Sequence, residues 1–405
     1  MLMFVLLFVF CAVSGFFAAP KRRVDIPLCQ NKKISVGCDK LYLISFSVLM
    51  LLLCGLRGHE IGVDTDTYVS TFLIPEALES SVDGKAKYEI GYVLFVKLLR
   101  LFTDNHNVYI FATALVIFTG LYLFVRENCS GHYGIALMVY VAFLYYVDFS
   151  AIRQAMALSI AINSMQFLKK KAWIPAVLII LLGASFQMTA LILLVMIPFM
   201  FTTREKIKVA IAVALSVIGV LLFEPLVRLV LQVFPIYERY WNSEMMIGNG
   251  GIGTFAILVS VLCVFAAGML FADKVKFRNV HIRNEFIISL VGSIFTVAIN
   301  LVGRRYGIFS RMTRYFIPFV MVLATDIYRC CIPKIKIDFA CVSALLKQMK
   351  PDKNRNGDQC PALAECTIRL KDLYYWIIAS MMGVYFYTIM RVNLYEIIPF
   401  RFFFS

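Results

Sequence analysis

Charge is scarce in this chain. Only 16% of its residues are Asp, Glu, Lys or Arg, where a soluble domain carries about 25%, and that shortage excludes an ordinary soluble globular class. Acidic residues are scarcer than basic ones, 25 against 40, giving a formal net charge of +15. No Walker motif, no paired zinc-ligand spacing and no serine-nucleophile elbow occurs. Nothing therefore points to ATP, haem or flavin, and no cofactor or metal is expected. Period-two alternation over strand-length segments is missing too, which excludes a membrane β-barrel.

What is abundant is apolar sequence. Hydrophobic residues make up 61% of the 405, and mean hydropathy is +0.80. Apolar runs of roughly 17–25 residues recur, the length that crosses ~30 Å of hydrocarbon as a helix. Inside hydrocarbon a helix satisfies its own backbone polar groups, so the expected class is all-α, a polytopic integral membrane protein with about twelve transmembrane helices. Spans are predicted at 1–19, 41–56, 107–125, 132–149, 151–168, 173–186, 188–201, 207–223, 252–272, 284–302, 313–330 and 373–391. The 173–201 stretch is read as two short halves, because Gly183, Ser185, Phe186, Gln187 and Met188 interrupt it.

With an even number of spans both termini share a side. Placing both outside puts Lys21-Arg22-Arg23, Lys169-Lys170-Lys171, Arg204 to Lys208, Lys274 to Arg283 and the 331–372 loop in the cytoplasm, as the positive-inside bias requires. The excess of cations is then topogenic, and no nucleic-acid partner is implied. Residues 1–19 are expected to be a retained helix: they carry no Lys or Arg, and the basic cluster follows them. None of the eleven Cys falls in an outer loop on this map, so reduced thiols are expected. One transmembrane domain is expected, with an outer segment at 57–106 holding an interfacial or re-entrant helix, a second outer segment at 224–251 and a basic cytoplasmic loop at 331–372.

Cations at outer mouths run against that topology and so call for a role. Arg153 opens the fifth span, Arg304 and Arg305 end the tenth, and Arg311 and Arg314 begin the eleventh, three residues apart on one helical face. Converging guanidinium forks suit a diphosphate; a lone Arg in such a place is more often snorkelling or ion-paired. Carboxylates follow the second span in Gly62-Val63-Asp64-Thr65-Asp66-Thr67-Tyr68 and in Glu89-Ile90-Gly91-Tyr92. They are equally readable as a general base or as turn-forming residues. Gln187 at the break could bind a ligand or merely water.

These stretches, together with Ile152-Arg153-Gln154-Ala155-Met156-Ala157, Phe186-Gln187-Met188-Thr189-Ala190-Leu191 and Ser310-Arg311-Met312-Thr313-Arg314-Tyr315-Phe316, resemble in order the EpsG-type branch of the Wzy polysaccharide polymerases. The likeness covers roughly residues 57–320. It implies a glycosyltransferase of the bacterial inner membrane that moves a growing glycan from undecaprenyl diphosphate to the next lipid-linked repeat unit at the periplasmic face, without a metal. Undecaprenyl-diphosphate-linked oligosaccharides, membrane lipids, a chain-length regulator and a flippase are the implied partners. Arg153, Asp64, Asp66 and Glu89 are the implied catalytic candidates, Arg153, Arg311, Arg314 and Arg304 the diphosphate-binding ones, and Tyr68, Gln154, Gln187 and Tyr315 the substrate-binding ones. One departure is Phe186-Gln187, where the family usually has Phe-His; an amide does not titrate, so Gln187 is left a binding role. A flippase of the same lipid-linked glycan and an O-antigen ligase remain open alternatives.

Overall fold

The computed structural model describes residues 1–18, 23–28, 32–74, 76–79, 81–82, 85–86, 88–130, 132–202, 204–233, 252–272, 280–331, 336–338, 367–393 and 396–404. It is a helical bundle. In chain order the main helices are α1 (Leu2–Phe17), α2 (Cys38–Gly55), α3 (Thr65–Leu73), α4 (Ile90–Arg100), α5 (His106–Asn128), α6 (Tyr133–Tyr140), α7 (Ile152–Ala161), α8 (Trp173–Ala184), α9 (Glu205–Leu221), α10 (Phe223–Val233), α11 (Ile252–Ala272), α12 (Val280–Arg305), α13 (Ile317–Asp326) and α14 (Leu370–Val392). Among the described residues, extended pairing is confined to three short antiparallel strand pairs, Arg23–Leu28 with Lys32–Gly37, Ser81–Val82 with Lys85–Ala86, and Lys336–Asp338 with Thr367–Arg369, and one isolated bridge.

Every stretch read as a span carries helix, but fewer are long enough to cross alone. Four described helices reach the length and apolarity of a span: Cys38–Gly55, His106–Asn128, His281–Arg305 and Lys371–Val392. A fifth candidate is Glu205–Leu221 with Phe223–Leu229, bent by 76°. The shorter apolar helices include Leu2–Phe17, Tyr133–Tyr145, Trp173–Ala184 and Ile257–Ala267. The number expected from hydropathy is thus larger than the number of full-length helices, because hydropathy sees apolar runs and not the turns that break them. α6 passes into a π-helical turn at Val141–Tyr145, and α7 into 3-10 geometry at Ile162–Ser164. The stretch after α8 resumes at Met188 as 3-10 helix, with the break at Ser185–Gln187 as its polar composition suggests.

Two elements form the axis. Every residue of α6 and every residue of α13 is buried, as helices apolar on all faces require. α12 and α6 flank α13; α7 lies between α5 and α8, and α9 and α11 pack on α12. The bundle has two chemically different ends. Lys169, Glu285, Asp326 and Arg329 gather at one. Lys169 Nζ lies 2.9 Å from Glu285 and donates to the Glu127 carbonyl at 2.9 Å, and Arg329 meets Asp326 at 3.1 Å. At the other, Phe4 of α1 meets Phe149 and Phe400 at ring distances of 5.8 and 5.6 Å, so both ends of the described chain lie there.

Residues 396–404 form a strap at that second end. Gly58 N–H donates to the Arg401 carbonyl at 2.9 Å and Phe403 N–H to the Leu56 carbonyl at 3.1 Å. Five described Cys (11, 38, 54, 129 and 263) are free thiols. The 224–251 segment with Tyr237, Tyr240 and Trp241, and the 331–372 loop, lie largely outside the described residues.

Candidate functional site

The site is built where chain segments far apart in sequence meet at the starts of α3, α4, α7 and α13. Its foundation is the turn Tyr146–Ser150, which ends the α6 span and aims α7. The loop 57–65 clamps onto it. Arg57, 1% exposed, donates from Nη2 to the Phe149 carbonyl at 3.0 Å and from Nη1 to the Cys54 carbonyl at 3.1 Å, with its guanidinium 5.0 Å from the Phe149 ring. Thr65 Oγ1 donates to the same Phe149 carbonyl at 2.8 Å, and Val63 N–H to Ser150 Oγ at 3.1 Å. Gly62 makes this approach possible. Its φ is +100°, and a Cβ there would sit 2.1 Å from the Phe149 oxygen, so glycine alone fits.

Held this way, α7 begins with Arg153 and Gln154 facing different partners. Arg153 Nη1 donates to Glu89 Oε2 at 2.6 Å. The other oxygen of Glu89 accepts the Met188 backbone N–H at 3.0 Å, so one carboxylate links α7, the start of α4 and the break before residue 188. Gly91 lets α4 approach that break: its N–H donates to the Ser185 carbonyl at 2.7 Å, and a Cβ would lie 2.2 Å from Ser185 Oγ. Three tyrosine rings surround the guanidinium, Tyr88 at 4.9 Å, Tyr92 at 5.7 Å and Tyr68 at 5.8 Å. Such faces attract a cation by about 0.5–2 kcal/mol each, more as water is excluded. Burial raises the Tyr68 hydroxyl above the ordinary tyrosine range, against the lowering effect of the Arg153 charge, so it stays a neutral phenol. The buried Nε of Arg153 has no hydrogen-bond partner.

Gln154, one residue on, reaches the 310–316 segment. Its Oε1 accepts from Arg314 Nη1 at 2.6 Å, and its Nε2 donates to the Arg311 carbonyl at 2.8 Å. Tyr315 is fully buried, and its hydroxyl pairs with Thr189 Oγ1 at 2.9 Å.

Of the residues singled out in sequence, Arg153, Glu89, Tyr68, Gln154, Arg314 and Tyr315 therefore meet. Asp64 is half-buried at the N-terminus of α3, close enough for its charge to act on Tyr68. Asp66 is exposed on α3. Arg311 contributes its backbone carbonyl while its side chain is exposed. Gln187 is half-buried; its carbonyl accepts from Ala190 N–H at 3.0 Å and so starts the 3-10 segment beside Glu89. Arg304 stands apart, its guanidinium 5.2 Å over the Phe255 ring of α11.

Four participants were not singled out in sequence. Tyr88 is the closest ring to Arg153, and its signal was a tyrosine on each side of Glu89, in Tyr88-Glu89-Ile90-Gly91-Tyr92. Thr189 sits in a stretch that was quoted without a role. Arg57 and Asp148 gave no local signal. Asp148 is buried and accepts from the Tyr140 hydroxyl, in the turn that precedes α7.

The arrangement presents cations held by hydrogen bonds and rings, one carboxylate in direct contact with the central Arg, and aromatic faces, at one end of an apolar bundle. It suits an anionic group with an adjoining polyhydroxylated one. No group of three or more His, Cys, Asp or Glu suited to a metal ion occurs among the described residues. Comparison with curated proteins and with solved structures returns no significant match. The profile of the EpsG family matches residues 40–346, a range that contains every residue of this cluster. The chain is a membrane protein belonging to the EpsG family, whose members have a polysaccharide polymerase-like role.

Proposed function

We propose that this protein polymerises lipid-linked oligosaccharide repeat units, transferring the growing glycan from undecaprenyl diphosphate to the next lipid-linked unit at the periplasmic face of the bacterial inner membrane. The reading rests above all on Arg153: a guanidinium inside the bundle end, held by Glu89 and three tyrosine rings, with one buried N–H left unpaired.

An acceptor hydroxyl oxygen attacks the anomeric carbon of the donor glycan. The bond from that carbon to the diphosphate oxygen breaks, and the lipid diphosphate leaves as an anion. Arg153 and Arg314 take up the developing negative charge, an interaction strong in a site screened from water. As Arg153 turns toward phosphate it releases Glu89, whose carboxylate then accepts the hydroxyl proton. A single displacement of this kind inverts the anomeric centre and needs no covalent enzyme intermediate. Tyr68, Tyr88 and Gln154 bind the sugar and hold the cations in place. This end of the bundle faces the periplasm, with both termini, and the Lys169 end faces the cytoplasm, in keeping with Lys169-Lys170-Lys171 there.

A flippase would line a through-path with polar groups near mid-bilayer. Here the axial helices α6 and α13 are packed with apolar side chains between the two charged ends, which favours the polymerase. An O-antigen ligase shares the donor and differs in acceptor. Arg153→Ala separates these readings in a strain that displays its glycan on a lipid core. With protein level maintained, gels should show single repeat units on the core and no long chains. A bare core would point to a ligase, and unchanged long chains would remove Arg153 from the reaction.

A further inference from the structure

A second feature lies beyond the Arg153 cluster, on the side of α12 facing away from α13. An apolar groove of about 280 Å³ runs between α9, α11 and α12. From α9 it takes Val213, Val217 and Val220; from α12 it takes Ile294, Ala298 and Leu301; Leu262 of α11 closes the third wall. On both long walls the spacing is i, i+4, i+7, a single helical face, about 10 Å along the axis at 1.5 Å per residue. Val213 and Val217 are 43% and 51% exposed, so the groove opens sideways from the bundle.

Its two walls run into charge at the same point. One further turn along the α12 face comes Arg305, and along the α9 face, past the bend, Glu224. The two meet at 3.0 Å, and Tyr306 donates its hydroxyl to Glu224. Arg304 lies over Phe255 of α11 beside them. Two guanidinium groups and one carboxylate thus lie one turn beyond a groove whose lining is apolar except for Ser216, with an excess of positive charge. The chain then doubles back at once. Gly303 packs so closely on residue 310 that a Cβ would stand 2.7 Å from Ser310 Cα, and Arg311 and Arg314 of the catalytic cluster follow within four residues. The groove therefore ends in cations next to the segment that carries the site.

We infer that this groove is the seat of the polyisoprenoid chain of the lipid-linked glycan, with Arg304 on the path by which the diphosphate passes Arg311 to reach Arg314 and Arg153. The inference rests on the polymerase reading. Apolar walls, a lateral opening and a cationic cap adjoining Arg311 match an amphiphile whose anionic head must reach the site while its tail stays in hydrocarbon. Arg304, separate from the Arg153 cluster, gains a role by this placement. A methyl-branched chain suits walls lined by Val, Ile and Leu, and only its head-proximal units need enter; the rest lies in the bilayer.

Two measurements on the full-length protein in vesicles test this. The first compares lipid-linked donors that differ only in isoprenoid length. The wild type should show a KM for the undecaprenyl donor about tenfold below that for a two-isoprene donor, the worth of roughly two buried methylenes. Val217→Trp and Leu301→Trp, which fill the groove from exposed positions, should raise the long-chain KM to the short-chain value with kcat held. Leu215→Trp, exposed on α9 outside the groove, should leave both unchanged. Retention of the length preference in the groove variants would overturn the inference. The second is independent of turnover: undecaprenyl diphosphate with a photoactivatable group on its first isoprene units should label α9 and α12 peptides. Excess undecaprenyl diphosphate should suppress labelling, and phosphatidylglycerol should not; equal suppression means the groove holds ordinary bilayer lipid, and the idea fails. If the wild type polymerises neither donor while specific labelling persists, the polymerase reading falls and the groove assignment stands.

Discussion

The most structural of the predictions concerns Gly62→Ala. Glycine at this position has φ +100°, a region that costs a residue with a side chain about 1–3 kcal/mol. The new methyl would start 2.1 Å from the Phe149 carbonyl oxygen, against an ordinary contact of about 3.5 Å, so that carbonyl has to retreat by more than ~1 Å. It is the acceptor for both Arg57 Nη2 at 3.0 Å and Thr65 Oγ1 at 2.8 Å. Losing the neutral hydrogen bond costs about 1 kcal/mol and the one from the buried guanidinium about 1.5–3 kcal/mol. Together these reach roughly 4 kcal/mol or more, a large part of the 5–15 kcal/mol that holds a typical domain folded. The damage is also functional, because the displaced turn is the one that aims Arg153 at Glu89 and Tyr68. Gly219→Ala is the control: a Cβ there meets nothing within 4 Å in α9, and helix propensity alone favours Ala by about 0.5–1 kcal/mol. Apparent melting temperature in detergent and long-chain polysaccharide on gels are the readouts. Gly62→Ala should melt well below the wild type and lose long chains, and Gly219→Ala should do neither. If the two variants melt alike with polymer intact, the clamp of loop 57–65 on Phe149 does not organise the site.

Other perturbations test other contacts. Glu89→Gln should lower kcat by about 10²–10⁴, the range for loss of a general base, with Asp66→Asn unchanged; loss in Asp64→Asn alone would move the base to α3. Gln187→His should keep polymerisation and add an ionisation near ~6.5 to the pH profile of KM, and an unaltered profile would place that side chain outside the glycan site. At the other end of the bundle, Lys169→Met leaves Glu285 buried without its partner and should cost about 3–5 kcal/mol. Lys169→Met with Glu285→Met should regain most of that loss in a thermal melt; single and double variants that melt together would show the ion pair to be idle.

How far the sequence could be read depends on how local each property is. Span positions follow from composition over about twenty residues, so α2, α5, α12 and α14 fall where hydropathy puts them. The break at residues 185–187 was equally visible, because Ser185 and Gln187 are polar within an apolar run. Helix continuity was less legible: the π turn at Val141–Tyr145 and the 3-10 stretch at Met188–Met196 lie in segments whose apolar character gives no warning of a break. Candidate cations and carboxylates could be chosen from their positions near span ends, and three of them, Arg153, Arg314 and Glu89, meet. What local sequence could not supply is which ring lies under which guanidinium. Tyr88 stacks on Arg153 across 65 positions, Thr189 reaches Tyr315 across 126 and Arg314 reaches Gln154 across 160.

The amino-acid sequence by itself determined the solvent this protein lives in. Transfer of apolar side chains from water is additive along the chain, so a helical membrane protein with cations at span ends is written in composition and spacing. The tertiary structure decided which of those cations work together. Arg314 bonds to Gln154, the neighbour of Arg153 on α7, whereas Arg304 points to α11, because the packing of α12 against α13 on one face and α9 on the other separates them. That choice is a property of helix contacts distant in sequence, and no window of neighbouring residues contains it.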